Sequence, residues 1–528
     1  MNEPGRGQNT SWRRLSARML LVHPVREVGQ AIPALIGLVV AGRAMGDGQM
    51  RWLAPLGVVM VIVVSVLRWL TTRYRITAEQ VQLRTGLLRR KTISTPADRV
   101  RTVHVTASAL HRVLGLAKVE IGTGSHQGGH GLLLDSLRVA EAAGLRAELL
   151  HHSAAPSSDL GGAVSSSQTP AAAPLRAEPV AGAAGPGSDD TELARMDPGW
   201  VRFAPFTMSG VLGAVAIVGV GSRLINQVGV SITDVGPIRV GLAYARHTPL
   251  WRDVLQGLAA LAVFVTVLSV GGYVLSYGGF RLTRHPGGSL HITRGLLTTR
   301  ATSIEERRLR GLELAEPLLL RAVRAARLSG ITTGLKARRG ADGGSSMLLP
   351  PAPRAVARAV AAAILGDPTP VQVALTAHGP IARRRRFMRA MPAPLVLIVA
   401  ACVALWRGAS PWFPLVAVLS VPVAVMLAAD RYRSLGHALA GSFLVTRSGS
   451  LYRRRDVLDC DGIIGWNLRQ TFFQRRAGLA NLTATTAAGR QRYVVRDVRM
   501  PIALSLADHA LPGLLDDFLV PVPALVSG

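Results

Sequence analysis

The chain has 528 residues, 49% of them hydrophobic and 17% charged, with a formal net charge of +30. A mean hydropathy of +0.29 is too high for an ordinary soluble protein, so membrane spans are expected. The basic excess then points to an anionic membrane surface and away from nucleic acid, and two cysteines, Cys402 and Cys460, exclude a disulfide framework or a zinc pattern.

Residues 1–28 form a basic N-terminal segment with Arg6, Arg13, Arg14, Arg18 and Arg26. A transmembrane hairpin is predicted over 29–70, with spans at Gly29–Met45 and Leu53–Leu70 around a G-D-G-Q turn. A second apolar run follows the first at once, so the reading is an uncleaved hairpin and not a signal peptide. A soluble module, 71–151, comes next. Tyr74–Thr77 and Val81–Leu83 alternate as strands do, Val100, Val103 and Val105 mark another strand, and Val119 and Ile121 begin one more. A helix over Ser136–Leu150 is expected to close it, with Leu137, Leu145 and Leu149 on one side.

Residues 152–197, dominated by Ala, Pro, Ser and Gly, are read as a disordered linker. A second hairpin spans 204–277, with runs at Phe206–Ile225 and Val254–Tyr277 and a long connecting loop. The second module, 278–367, ends in a helix bearing Val356, Val360 and Ile364. The third hairpin, 390–429, has runs at Met391–Trp406 and Trp412–Ala429 and is entered through Arg383–Arg386. The third module, 430–520, is expected to end on Leu511, Leu514, Leu515 and Leu519.

One stretch recurs in all three modules. G-L-L-R-R-K from Gly86 returns as G-L-L-T-T-R from Gly295 and as G-S-L-Y-R-R from Gly449. Arg112, Arg321 and Arg475 follow these glycines at the same distance each time, without a gap. Copy two departs from the pattern at Arg324, where copies one and three have Gly115 and Gly478. Copy three departs at Gly462 and at Trp466, which replaces Val103.

Arginine sets the expected orientation. The module-side flanks carry Arg73, Arg75, Arg202, Arg281, Arg284, Arg383–Arg386, Arg389, Arg431 and Arg433, whereas the two short hairpin tips carry only Arg51 and Arg407. Both termini and all three modules are therefore expected in the cytoplasm of a multi-pass cell-membrane protein.

The exit R-Y-R-I-T, the G-L-L/S-L turn, the R-V-R-T-V run and the R-x-x-G-L-A-K-V-x-I run, each behind a hairpin, resemble the bacterial pleckstrin-homology-like membrane proteins. These are the DUF304 or bPH2 group, in particular its multi-module YdbT-like members. The resemblance covers nearly the whole chain apart from the first residues and the linker. It implies six transmembrane helices plus three small α+β modules, each an antiparallel barrel capped by a C-terminal helix.

Chemical constellations are weak. The glycine-rich Gly122–Gly131 lacks the G-x-x-x-x-G-K-[ST] pattern and reads as a hairpin loop. His126 and His130 lie in that glycine-broken loop. Asp456, Asp459 and Asp461 lack the calcium-loop frame and read as surface acids. No catalytic, cofactor or metal residue is assigned, and no enzymatic activity is expected.

The candidate contacts to a headgroup or partner are arginines: Arg112, Arg321 and Arg475 at the recurrent position, Arg73, Arg75, Arg89 and Arg90 in copy one, and Arg453, Arg454 and Arg455 in copy three. The structural reading of the recurrent trio is pairing within the module. The expected function is a membrane-anchored scaffold or adaptor, its modules binding anionic lipid headgroups or a membrane or cytoplasmic protein partner. The alternative is a transporter or an accessory subunit of a membrane-embedded enzyme. It is disfavoured because no Asp, Glu, Lys or His lies in a span centre. An isolated third module, Tyr432–Leu519, is expected to bind anionic vesicles, with Arg453–Arg455 replaceable without harm to the fold.

Overall fold

The computed structural model of the chain describes residues 70–77, 80–85, 91–96, 102–122, 132–141, 190–207, 249–333, 346–408 and 412–514, together with 12–14 and a few isolated positions. Within these, one pattern of strands is built three times. The first copy has β1 (Arg13–Arg14), β2 (Arg73–Ile76), β3 (Gln80–Thr85) and β4 (Lys91–Pro96), then β5 (Thr102–Ala107), helix α1 (Ala109–Val113), β6 (Leu116–Gly122) and β7 (Leu132–Arg138). The second has β8 (Thr191–Arg195), a 3-10 helix over Pro198–Phe206, α2 (Leu250–Tyr277), β9 (Arg281–His285), β10 (Ser289–Arg294) and β11 (Thr299–Glu305). It continues with β12 (Leu309–Pro317), α3 (Leu318–Ala322), β13 (Ala325–Thr332), β14 (Met347–Pro353) and α4 (Arg354–Leu365). The third begins with three long helices, α5 (Gly379–Ala390), α6 (Pro392–Trp406) and α7 (Trp412–Arg433). Its strands are β15 (Gly436–Ala440), β16 (Phe443–Ser448), β17 (Tyr452–Asp459) and β18 (Gly465–Arg469), followed by α8 (Phe472–Arg476), β19 (Leu479–Thr485), β20 (Arg492–Arg499) and α9 (Met500–Ala510).

The recurrent glycine has a steric reason. Gly295 and Gly449 open the turns between β10 and β11 and between β16 and β17 at φ of 102° and 107°. A Cβ there would sit 2.1 Å from the carbonyl oxygen of Thr298 or Tyr452, far inside contact distance, so no other residue fits. The position after the short helix is left-handed in every copy, at φ of 67° for Gly115, 56° for Arg324 and 64° for Gly478. Its carbonyl accepts the N–H of Val139, Arg354 or Met500, where the final helix of each module begins. Arg324 therefore departs from the sequence pattern and keeps its backbone.

The modules do not close as three separate barrels. Each contributes its second set of strands to a sheet completed by the first set of the next. The sheet orders are β1-β2-β3-β4, then β7-β6-β5-β11-β10-β9-β8, then β14-β13-β12-β17-β16-β15, then β18-β19-β20. The joints β5–β11 and β12–β17 use the same register. Arg300 faces Thr106 in the first and Arg454 faces Ala315 in the second, equivalent positions of the repeat. Within the third module, the two sets of strands pack on one core of Leu444, Leu458, Ile463, Leu482, Tyr493 and Val495, closed by Ala503, Leu506 and Ala510 of α9. In the second, Ala357, Val360, Ala361 and Ile364 of α4 bury one stripe against the same kind of core.

Three described helices are long and apolar enough to cross a bilayer: Val254–Tyr277, Gly379–Trp406 and Trp412–Arg433. Large apolar side chains on them, such as Val396, Val399, Val418 and Leu419, are exposed, as lipid-facing residues are. Gly29–Met45, most of Leu53–Leu70 and most of Phe206–Ile225 lie outside the described residues, so the structure shows three of the six expected spans. The strand before each hairpin pairs antiparallel with the strand after it: β1 with β2, β8 with β9, and Thr376 with His437 as a single bridge. The ends of each hairpin are thereby held side by side.

Four expectations are corrected. Ser136 belongs to β7, which runs on to Arg138 because it pairs with β6, so the closing helix starts later than Ser136. Residues 191–195 of the expected linker form β8, fixed by main-chain pairing, by a hydrogen bond between Asp190 and His285 at 2.6 Å and by the ion pair of Glu192 with Arg281. Phe206 ends a 3-10 helix whose Trp200 and Phe203 pack on Tyr273 and Tyr277 in the second core, so a span does not begin there. The last described helix is Met500–Ala510, and Leu514 beyond it is exposed, while Leu515 and Leu519 lie outside the described residues.

Candidate anion-binding cleft

The Arg383–Arg386 run lies on α5, which leads straight into the apolar α6. Arg386 and Arg389, three residues apart, share a helix face. Arg389 precedes Pro392, the first residue of the apolar α6, by three residues, or about 4.5 Å of helix rise. Opposite this helix face is one face of the sheet β18-β19-β20. Alternate residues of a strand share a face, which brings Asn467 and Arg469, then Asn481, Thr483 and Thr485, then Arg492, Val494 and Arg496 to the same side. Between helix and sheet is a cleft of about 560 Å³ lined by these residues, Arg386, Arg389 and Asp497. A smaller cleft of about 300 Å³ shares the wall of Arg386, Arg389 and Arg496 and adds Arg431, Arg454 and Arg490. Arg431 comes from the last turns of α7, so both ends of the third hairpin supply arginine.

The cleft's one carboxylate is already used. Asp497, 1% exposed and left-handed at φ 56°, pairs with Arg385 and, at 2.5 Å, with Arg386. Its oxygen accepts the Gln474 side-chain N–H at 2.8 Å, and its own N–H donates to Asn481 Oδ1 at 3.0 Å. Asp497 thus anchors α5 to the sheet. Among the described residues Arg389, Arg469, Arg492 and Arg496 form no ion pair with a carboxylate. Partial burial, and then repulsion from Arg454, Arg490 and Arg389, holds the Arg496 guanidinium below its ordinary pKa. Such crowding is relieved by an anion.

A histidine pair fixes the rear of the cleft. His378, just before α5, bonds through Nδ1 to the Arg496 carbonyl at 2.7 Å and through Nε2 to His437 Nδ1 at 2.9 Å. A carbonyl only accepts, so His378 carries its proton on Nδ1 and His437 donates to it; both rings are neutral. Burial pushes the His437 pKa down to about 4, with His378 contributing, and burial lowers that of His378 as well.

The arginines singled out from sequence lie elsewhere. Arg453 pairs with Glu316 across the second joint, its Nε donating at 2.8 Å, and Glu316 also holds Arg354 at 2.7 Å. Arg454 lies 3.9 Å from Glu313 and stacks over Tyr452. Arg455 donates to the carbonyls of Pro370 and Val373, and burial pushes its pKa down to about 10. The expectation that this run is a replaceable surface is therefore corrected: it pairs with β12 and seals the joint. Only Arg454 of the three touches a cleft. Asp456 is likewise no surface acid; it is buried and pairs with Arg490 at 2.7 Å.

The recurrent trio occupies one position in three short helices. Arg112 donates to the Leu296 carbonyl of the next module at 2.7 Å, and Arg321 pairs with Asp430 at 3.0 Å. Arg475 is exposed. Arg73 is exposed in the first sheet between Arg14 and Arg84, and Arg75 is half-buried. Arg89 and Arg90 lie outside the described residues, as does most of the Gly122–Gly131 loop. Sequence reading named Arg386 and Arg389 only as flanking charge and passed over Arg469, Arg492 and Arg496. The two-residue spacing of Arg492, Val494 and Arg496 was the available signal, and it needed the facing helix to become a site.

Residues 24–153 and 393–512 match the bacterial PH domain family, over the first and third modules and the apolar runs that precede them. The second module lies outside both matches and has the same strand order. No curated protein matches the chain, and no solved structure does.

Proposed function

We propose, from the premise that this chain carries bacterial PH domains behind apolar hairpins, that it is a membrane-anchored scaffold whose third module binds the phosphate of an anionic lipid headgroup. One observation carries the reading: Arg389, Arg469, Arg492 and Arg496 converge, without carboxylate partners among the described residues, beside the start of an apolar helix. Guanidinium groups pair bidentately with phosphate, and each basic residue near an anionic leaflet contributes about 1 kcal/mol. The pairing of the strands that flank each expected hairpin supports a reading with every module on one membrane face, and the arginine-rich flanks favour the cytoplasmic one.

The test uses the full-length protein, because β15–β17 complete a sheet begun by the second module and a lone third module would expose that edge. The protein is reconstituted in nanodiscs of mixed phosphatidylglycerol and phosphatidylcholine, and retained lipid is read by native mass spectrometry. Phosphatidylglycerol is expected to be retained preferentially and to be lost on raising salt or in R389Q. Equal retention of both lipids would overturn the proposal.

A further inference from the structure

Among the described residues, two strands of the kind that forms the joints have no partner from a neighbouring module. They are β4 in the first module and β18 in the third, at the outer edges of their sheets. These edges are complementary by construction. β18 is the repeat equivalent of β5 and β12, and β4 is the equivalent of β11 and β17. Those equivalents pair with each other at both internal joints, in the same register.

The surroundings of β18 look like a joint with one side missing. Leu314 in β12 is 5% exposed under its partner strand, whereas the equivalent Leu468 in β18 is 38% exposed. On the adjoining helix, Phe472 and Phe473 are 64% and 74% exposed, against 41% for each of the equivalent Leu318 and Leu319. In the second joint the Leu318 N–H donates to the Leu451 carbonyl of the next module at 2.8 Å. Arg112 and Arg321 both reach beyond their own module, to Leu296 and to Asp430, while Arg475 makes no such contact among the described residues. An exposed, unpaired edge flanked by exposed aromatics is a template for strand addition.

We propose that β18 of one chain pairs with β4 of a second copy, continuing between molecules the joint that the chain builds twice within itself. Carrying the internal register over places Thr92 opposite Leu468 and Lys91 opposite Arg469. The contact is heterologous, so it extends until it closes into a ring or continues as an array. On the proposed topology, which the pairing of the strands flanking each expected hairpin supports, all modules share one membrane face and growth stays in the membrane plane.

The experiment reads register and polarity together. Two full-length variants in a Cys402→Ala background, T92C and L468C, are prepared separately, mixed in detergent and reconstituted under oxidation. Directly opposed residues of antiparallel strands lie about 4.5–5.5 Å apart at Cα, within disulfide reach. A thiol-reducible dimer is expected from the mixture and not from either variant alone. Chains carrying both cysteines should give a ladder. R469E should strengthen association and R475E should weaken it, as judged by particle mass in nanodiscs. The proposal is overturned by equal crosslinking of T92C or L468C alone, by equal crosslinking when N467C replaces L468C, or by wild-type particles that stay monomeric at every concentration.

Discussion

Two arginine-rich regions meet in the third module and differ in what their guanidinium groups face. At the joint with the second module, Arg453 faces Glu316, Arg454 faces Glu313, and Arg490 faces both Glu313 and Asp456. In the neighbouring cleft Arg389, Arg469, Arg492 and Arg496 face polar groups and one another. Arginine count separates the two regions poorly. The carboxylates decide: where they are numerous and buried, arginine closes a joint, and where the one carboxylate, Asp497, is taken up by Arg385 and Arg386, the remaining positive charge stays open to an incoming anion.

The comparison breaks most severely at Glu316, whose side chain is 8% exposed and holds Arg453 and Arg354 together. Glu316→Gln leaves both guanidinium groups without their charge partner, and removal of one member of a buried pair costs on the order of 3–5 kcal/mol. Unfolding temperature in detergent and protease cleavage between the second and third modules should both register the loss. Unchanged unfolding would show that the joint rests on main-chain pairing alone.

Acid should act next, through the histidine pair behind the cleft. The folded chain holds His437 neutral down to about 4 against an ordinary 6.5, so the unfolded chain takes up its proton first. The His437 contribution is then complete above pH 6.5 and falls as pH drops toward 4, by about 3 kcal/mol in all. A series of unfolding temperatures against pH reads this slope, and His437→Asn should flatten it. Equal slopes for wild type and His437→Asn between pH 7 and 4.5 would refute the assignment of neutral rings, whatever the buried Asp456, raised to about 6, contributes to both.

Arg496→Gln sharpens the contrast from the cleft side. Retention of anionic lipid should drop by about 1 kcal/mol, while the unfolding temperature holds or rises because a crowded positive charge is gone. A fall in stability instead would mean that Arg496 is a structural group like Arg453.

The smallest expected effect is at Arg324, on the loop beyond the helix that carries Arg321. A non-glycine residue in the left-handed region costs roughly 1 kcal/mol, and glycine returns part of that through its freedom in the unfolded chain. Arg324→Gly should therefore stabilise the second module by about 0.5 kcal/mol, measurable by chemical unfolding; destabilisation would reveal a packing role for the side chain.

Much of the fold was readable before any coordinates. The threefold recurrence of Gly86, Gly295 and Gly449 with Arg112, Arg321 and Arg475 marked one module present three times. At Gly295 and Gly449 the glycine is required by backbone contact. The apolar runs at Val254–Tyr277, Met391–Trp406 and Trp412–Ala429 announced helices of spanning length. The site was less readable. Arg453–Arg455 drew attention as a run beside a turn, yet their partners Glu316, Glu313 and the Pro370 and Val373 carbonyls come from sequence-distant segments. The same distance hid Asp497, which looks like one acid among arginines until Arg385 and Arg386 are brought to it.

The sequence by itself determined what depends on neighbours a few residues apart: the spans, set by unbroken apolar runs, and the turn glycines and module repeat, set by local backbone sterics. Tertiary structure alone decided which strand edge each module offers to the next and which arginines keep a carboxylate. Hydrogen bonds along a strand edge satisfy any partner of suitable register, and a charge is neutralised by whatever lies within a few ångströms. Both are properties of distance in space, and spacing along the chain does not encode them.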